Sequence, residues 1–262
     1  FDIAITILPS LLVMGLVVSF YIKNYNRVFS NLREQKARID RLIGSIRRYL
    51  PKQLVEALEK EDRSIATAPR RKRITVFFSD IKDFTPTTDA MQPEDMTSLL
   101  NEYLTEMTDI AMKYGGTIER IVGDALMVMF GAPIGKDDKS DATGCVRMAI
   151  EMQQRMQVLQ KKWYNAGIEK PLQIRIGINT GVATVGDFGA HERISYTAIG
   201  GEVNLAARLE GLCGPGGILI SHSTWAFVKE KVSCKQRAEK VTVKGINREI
   251  TVYDVEFEKA LR

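Results

Sequence analysis

Apolar and polar positions along the chain fall into three regimes. The first is Ile3 to Ile22, twenty residues without a charge. As a helix rising ~1.5 Å per residue it matches the ~30 Å hydrocarbon core of a bilayer. Residues 1–22 are therefore predicted to be a transmembrane helix. Because the chain starts at Phe1, this is expected to be the end of a longer membrane region. A cleaved signal peptide would want an apolar core of only ~7–15 residues, with basic residues ahead of it. Here Lys23, Arg27, Arg33 and Lys36 follow the run, which puts that side in the cytoplasm.

The second regime is a heptad. Tyr25, Leu32, Ile39 and Ile46 fall at a, and Val28, Gln35, Leu42 and Tyr49 at d. This spacing predicts a coiled coil with a weak seam, broken by Gln35 and two tyrosines. A marginal coil suits a signalling helix that changes register, and it suits a plain linker. Pro51 stands at a plausible first turn of a further helix over Arg48–Lys60, and Glu61–Arg73 reads as an exposed linker. Residues 23–73 are thus expected to form a basic juxtamembrane coiled coil and linker.

The third regime, residues 74–262, alternates strand-like and helix-like patterns. Ile74–Ser79 is a β-branched and aromatic run, a buried strand. Pro93–Tyr114 carries a helical stripe from Met96 to Ile110, ended by Gly115-Gly116. Thr117–Val122 and Ala125–Phe130 read as a hairpin around Gly123-Asp124. Lys139–Trp163 is a second helix, and Leu172–Asn179 and Ala183–Gly186 are strands. Tyr196–Ile199 is extended, Gly201–Leu212 helical, Ile218–Ser221 a strand, Thr224–Val228 a short helix, and Val241–Phe257 alternates as strands. This predicts an α+β fold (an α/β sandwich): a ferredoxin-like βαββαβ core with C-terminal additions.

Charge changes the picture of only one region. Lys23 to Arg73 holds 15 Lys/Arg against 6 Asp/Glu, a net of +9. The whole chain carries +5, so the rest is acidic and no nucleic-acid partner is expected. The basic helix face could meet anionic lipid or simply water. Three scattered cysteines and two histidines offer no zinc cluster.

The candidate chemistry gathers at two carboxylates. If the first strand and the hairpin lie side by side, Asp80 and Asp124 meet at one sheet end. The turn after Asp80 adds the Ile81 carbonyl and the amides of Phe84 and Thr85, groups that can face a metal ion and phosphate oxygens. Either aspartate alone could equally be a helix cap or a turn residue. Asn204 and Arg208 are four apart and share a helix face. Arg is suited to clamping phosphate, and also to surface ion pairs.

FSDIKDFT, GGTIERIVGDALMVMFG, RIGINTGVATVGDFG and YTAIGGEVNLAARLE together resemble the catalytic domain of class III nucleotide cyclases. The blocks cover essentially all of Ile74–Asp254, and the upstream RYLPKQLVEAL resembles the segment leading into this domain in membrane-bound bacterial adenylate cyclases. The resemblance implies a head-to-tail homodimer with sites at its interface, paired through the catalytic domain and the coiled coil. It implies that Asp80 and Asp124 bind two Mg²⁺ or Mn²⁺ ions per site, and that Asn204 and Arg208 of the other subunit orient the ribose and stabilise the transferring phosphorus. Lys244 matches a lysine that meets the terminal phosphates. The reaction implied is attack of the ribose 3′ oxygen on the α-phosphate, expelling pyrophosphate. The enzyme would sit at the inner (plasma) membrane with its catalytic domain in the cytoplasm.

The base-selecting positions match Arg120 and Thr197. Adenylate cyclases of this family usually carry Lys at the first and guanylate cyclases Glu. Arg120 can only donate hydrogen bonds, which suits adenine N1 and not guanine N1–H. ATP is the expected substrate. A guanylate cyclase and a regulatory cyclase-like module are the alternatives.

Overall fold

The computed structural model describes residues 2–59, 68–89, 91–190, 192–238, 241–243 and 246–257. They fall into two units, Phe1–Leu50 and Pro51–Arg262.

The first unit is one long helix, α1 (Asp2–Ile46), followed by a 3-10 turn at Arg47–Tyr49. Its backbone is helical across the expected membrane span. However, among the described residues no helix is long and apolar enough to cross a membrane. The transmembrane reading of Ile3–Ile22 is therefore not supported, and the side chains of residues 1–13 lie outside the described set. The heptad positions Tyr25, Val28, Leu32, Ile39, Leu42 and Ile46 are exposed along α1, a seam without a partner in a single chain. The last d position, Tyr49, falls beyond α1 in the 3-10 turn.

The second unit opens with α2 (Lys52–Glu59), whose Leu54 is 6% exposed. Then come β1 (Arg70–Ile81), α3 (Phe84–Asp89), α4 (Pro93–Tyr114), β2 (Thr117–Val122), β3 (Ala125–Phe130) and α5 (Asp138–Asn165). β4 (Ile174–Ala190), β5 (Arg193–Ile199), α6 (Gly201–Leu212), β6 (Ile218–Ser221) and α7 (His222–Val228) follow. β7 (Cys234–Gln236), β8 (Val241–Val243), β9 (Ile246–Ile250) and β10 (Val252–Val255) close it. The main sheet runs β2-β3-β1-β4-β6-β10-β7, with β5 hydrogen-bonded to β4. β1 is antiparallel to both β3 and β4, so β1, α4, β2, β3, α5 and β4 build the expected ferredoxin-like core.

Two apolar clusters explain why the central strands read as unbroken hydrophobic runs. Along β3, Leu126, Val128 and Phe130 join the cluster that contains Tyr103 and Met107 of α4 and Met148, Met152 and Trp163 of α5. Met127 and Met129 join the other, with Leu54 of α2, Ile74, Val185, Tyr196, Val203 and Ala206. With alternate residues pointing to opposite faces, a strand covered on both faces has no polar side to display. Gln53 Nε2 also donates to the Gly116 carbonyl at 2.7 Å, tying α2 to the end of α4.

Two local expectations need correction. Arg70–Arg73 is not linker: it pairs in register with Val182–Val185, because β4 runs on for 17 residues and extends the ladder past Ile74. Leu172–Asn179 and Ala183–Gly186 are accordingly not two strands; they lie mostly within the single strand β4, which begins at Ile174. The turn after Asp80 leads directly into a short helix, α3.

Helix α6 lies against β4 through two glycines. A Cβ on Gly177 would stand 2.1 Å from the Glu210 amide nitrogen, and one on Gly181 2.5 Å from Glu202 Cγ. The helix therefore runs antiparallel to the strand at a separation that only hydrogen side chains permit. Gly177→Ala should push α6 off the sheet and cost at least the ~1–3 kcal/mol typical of overpacking. An unchanged urea midpoint for this variant would contradict the close approach.

Candidate active site

The sheet register gathers the site. β1 pairs with β3 up to Ser79 opposite Leu126, so the next residues, Asp80 and the Asp124 turn, come together at one sheet end. Gly123 (φ 61°) makes that turn. The Ile81 N–H donates to Asp124 Oδ2 at 2.9 Å, fixing the second carboxyl against the end of β1. On the opposite flank, β1 pairs Asp80 with Arg175 of β4, and Arg175 Nη2 donates to Asp80 Oδ2 at 3.1 Å.

Asp124 is electrostatically strained. Burial and a hydrogen bond with the Asp80 carboxyl push Asp124 up to about 6, against the Ile81 amide, which favours the charged form. Glu210 of α6 is pushed up to about 7 by burial, opposed by the Arg175 guanidinium. Its Oε1 lies 3.0 Å from Arg175 Nη2, an ion-pair distance, yet without hydrogen-bond alignment.

Ile81 ends β1, and Phe84 begins α3 with Thr85 next in its first turn, where amides lack intrahelical acceptors. Asp83, between them, holds a left-handed φ of 53°. On β2, Arg120 follows a bulge and makes a two-pronged contact with its neighbour: Nε and Nη2 donate to Glu119 at 3.1 and 3.0 Å. Glu119's side chain is only 2% exposed while that of Arg120 is 56% exposed, so the guanidinium projects from a buried carboxylate. Thr197 is buried on β5 opposite Gly186. On α6, Asn204 is exposed and Arg208 half-buried. Among the described residues no hydrogen bond or ion pair joins either of them to Asp80 or Asp124 of the same chain. Lys244 lies outside the described residues.

The structure thus unites Asp80, Ile81 and Asp124, and among the described residues it links neither Asn204 nor Arg208 to them by a hydrogen bond or ion pair. Three residues escaped the sequence reading: Arg175, Glu210 and Glu119. All stand inside the recognised blocks, but their partners are set by strand register and helix packing; Arg175 and Asp80 are 95 residues apart.

The residues fit a divalent cation that brings most of its own ligands. No cluster of three or more His, Cys, Asp or Glu side chains occurs among the described residues. The donors available are two crowded carboxylates and the Ile81 carbonyl. Such an oxygen set suits Mg²⁺ or Mn²⁺, with water and phosphate completing the shell.

Residues 66–256 match the family described as "Adenylate and Guanylate cyclase catalytic domain". The chain belongs to that family. It is 49% identical to the crystallised adenylyl cyclase CyaB from P. aeruginosa, covering 73% of this chain and 97% of that one, with a TM-score of 0.71. The guanylyl cyclase Cya2 is also similar, at 34% identity over 72% of this chain and 94% of that one, with a TM-score of 0.67. "Adenylate cyclase 1" of Rhizobium meliloti is 32% identical over 79% of this chain. The chain spans only 31% of that relative, and 46% of the "Adenylate cyclase" of Anabaena cylindrica.

The raised Asp124 pKa has a signed consequence. The fold binds this proton more tightly than the unfolded chain does, so the ionised form costs stability. The cost is absent below the ordinary value of 3.8, grows as pH rises toward about 6, and is full above that. Asp124→Asn should therefore raise the melting temperature of the metal-free chain at pH 7.5, with the gain vanishing by pH 4. No gain at pH 7.5 would contradict the crowding of the two carboxyls.

Proposed function

We propose that this chain is an adenylate cyclase that converts ATP to 3′,5′-cyclic AMP and pyrophosphate at a homodimer interface. The observation that carries the reading is the meeting of Asp80 and a half-buried Asp124 at one sheet end, held by Arg175 and the Ile81 N–H, in a chain that is 49% identical to an adenylyl cyclase. Asp80, Asp124 and the Ile81 carbonyl would hold two Mg²⁺ or Mn²⁺ ions, which supply Lewis acidity toward the ribose hydroxyl and neutralise polyphosphate charge. Arg175 places a fixed cation on the other side of Asp80. The Phe84 and Thr85 amides face phosphate oxygens, as Lys244 does in the family resemblance.

The other half of the site comes from a second copy. Asn204 would orient the ribose, and Arg208 would stabilise charge on the phosphorus in the transition state. Apolar side chains at the tips of β2 and β5 support such pairing: Val122 is 61% exposed and Ile194 60%. The open seam of α1 supports a second contact, through a coiled coil. Attachment at the inner membrane, with the catalytic unit cytoplasmic, rests on the sequence run Ile3–Ile22 and the cations after it.

Arg120 and Thr197 would read the base. Arg120 offers donors, which suits adenine N1. Glu119 favours a second reading, GTP, because it sets a carboxylate acceptor beside those donors. Two of the five guanidinium N–H bonds are committed to Glu119, so that acceptor is already engaged and ATP stays the preferred substrate.

With Mn²⁺ and either ATP or GTP, the chain is expected to make mainly cyclic AMP. Mainly cyclic GMP would transfer the assignment to the second reading. A folded dimer that makes neither would mark a regulatory module. Asp80→Ala and Arg208→Ala should each lower turnover ~100-fold or more. An equal mixture of the two should recover about a quarter of the wild-type rate, since half the dimers then hold one intact site of two. Absence of recovery would rule out a shared site.

A further inference from the structure

Helix α6 carries two sets of polar side chains that point to different places. Among the described residues, Asn204 and Arg208 make no hydrogen bond or ion pair with the aspartates of their own chain. Glu210, one half-turn beyond Arg208, does the opposite: it reaches Arg175, whose guanidinium holds Asp80.

Three features make this link specific. Gly177 sits two residues after Arg175 on β4, and the lack of a side chain there lets the Glu210 backbone rest on the strand. The Glu210 carboxylate is thereby carried to the Arg175 guanidinium rather than to solvent; its side chain is 14% exposed and that of Arg175 20%. Arg175 Nε and Glu210 Oε1 are both buried without a hydrogen-bond partner, so neither group has an alternative anchor on that atom. Leaving buried charged groups in this condition is costly unless they face each other.

We propose that Glu210 is a positioning residue for the Asp80 site of its own chain, holding Arg175 against Asp80. This rests on the cyclase reading above. Each α6 then serves both sites of a dimer. Through Asn204 and Arg208 it completes the partner's site; through Glu210 and Arg175 it shapes the carboxylate end of its own. Without the Glu210 charge, Arg175 loses its second anchor and no longer holds Asp80 in place, so Asp80 becomes a poorer ligand and orienting group. Loss of an outer partner of this kind typically costs ~10–100-fold in affinity or activity.

The test uses the full chain in mixed dimers. A dimer of Arg208→Ala and Asp80→Ala chains has one intact site, built from Asp80 of the first chain and Arg208 of the second. Recovery of activity in this mixture establishes the shared site before Glu210 is touched. Glu210→Gln is then added to one chain at a time. In the Arg208→Ala chain, which supplies Asp80, it should reduce the recovered rate ~10–100-fold. In the Asp80→Ala chain, which supplies Arg208, it should leave that rate unchanged. Binding of Mn²⁺ with 3′-deoxy-ATP, measured by calorimetry without turnover, should weaken in the first arrangement only. Equal loss in both arrangements, the reverse pattern, or no loss in either would overturn the proposal. Should the Gln variant fail to dimerise, Glu210→Asp carries the same comparison, since a carboxylate one methylene shorter still misplaces Arg175.

Discussion

Everything in the catalytic unit depends on a repulsion. Two carboxyls, Asp80 and Asp124, are held close enough to share a hydrogen bond and are partly withdrawn from water. Such a pair resists full ionisation, and a divalent cation bound between them would relieve it. The fold does nothing to relieve it by moving the groups apart. Ile81 N–H fixes one carboxyl from the backbone, and Arg175 fixes the other from the neighbouring strand. Both anchors follow from the antiparallel register of β1 with β3 and β4.

That register also explains the shape of the rest. A sheet covered on both faces keeps β1, β3 and β4 from slipping, because a shift of one residue would turn each apolar set to the wrong side. The α4 and α5 face supplies bulk, with Tyr103, Met107 and Trp163 buried under the strands. The opposite face is thinner. There α2 contributes Leu54, and α6 rests on β4 through Gly177 and Gly181. The thin face is where polar side chains reach the end of the sheet. Among the described residues, Arg208 and Asn204 make no hydrogen bond or ion pair with the aspartates of their own chain, and the proposed reading assigns them to the partner's site.

Much of this was legible in the sequence, for physical reasons. Strands buried on both faces are continuous apolar runs, so β1, β3 and β6 announced themselves. Gly115-Gly116 and Gly123-Asp124 marked their turns through backbone preference. Asp80 and Asp124 were visible because a carboxylate at the end of an apolar strand is out of place there. What stayed hidden depends on contacts distant in sequence. Arg70–Arg73 looked like linker because its ladder partner is over a hundred residues away. Arg175 and Glu210 looked like ordinary members of a strand and a helix. Glu119 stands at a β-bulge, a register shift that brings its buried carboxylate beside Arg120 and that depends on the pairing of β2 with β3. The uncharged run at the start of α1 read as a membrane span, yet no described helix qualifies as one.

The central claim is that one chain supplies the carboxylates and a second copy supplies the arginine. Anomalous diffraction from crystals of the chain grown with Mn²⁺ and 3′-deoxy-ATP tests it most directly. The account expects two manganese peaks bracketed by Asp80 and Asp124, with the nucleotide's α-phosphate facing Arg208 of the partner subunit. Manganese bound elsewhere, or an α-phosphate met by Arg208 of the same chain, would contradict it.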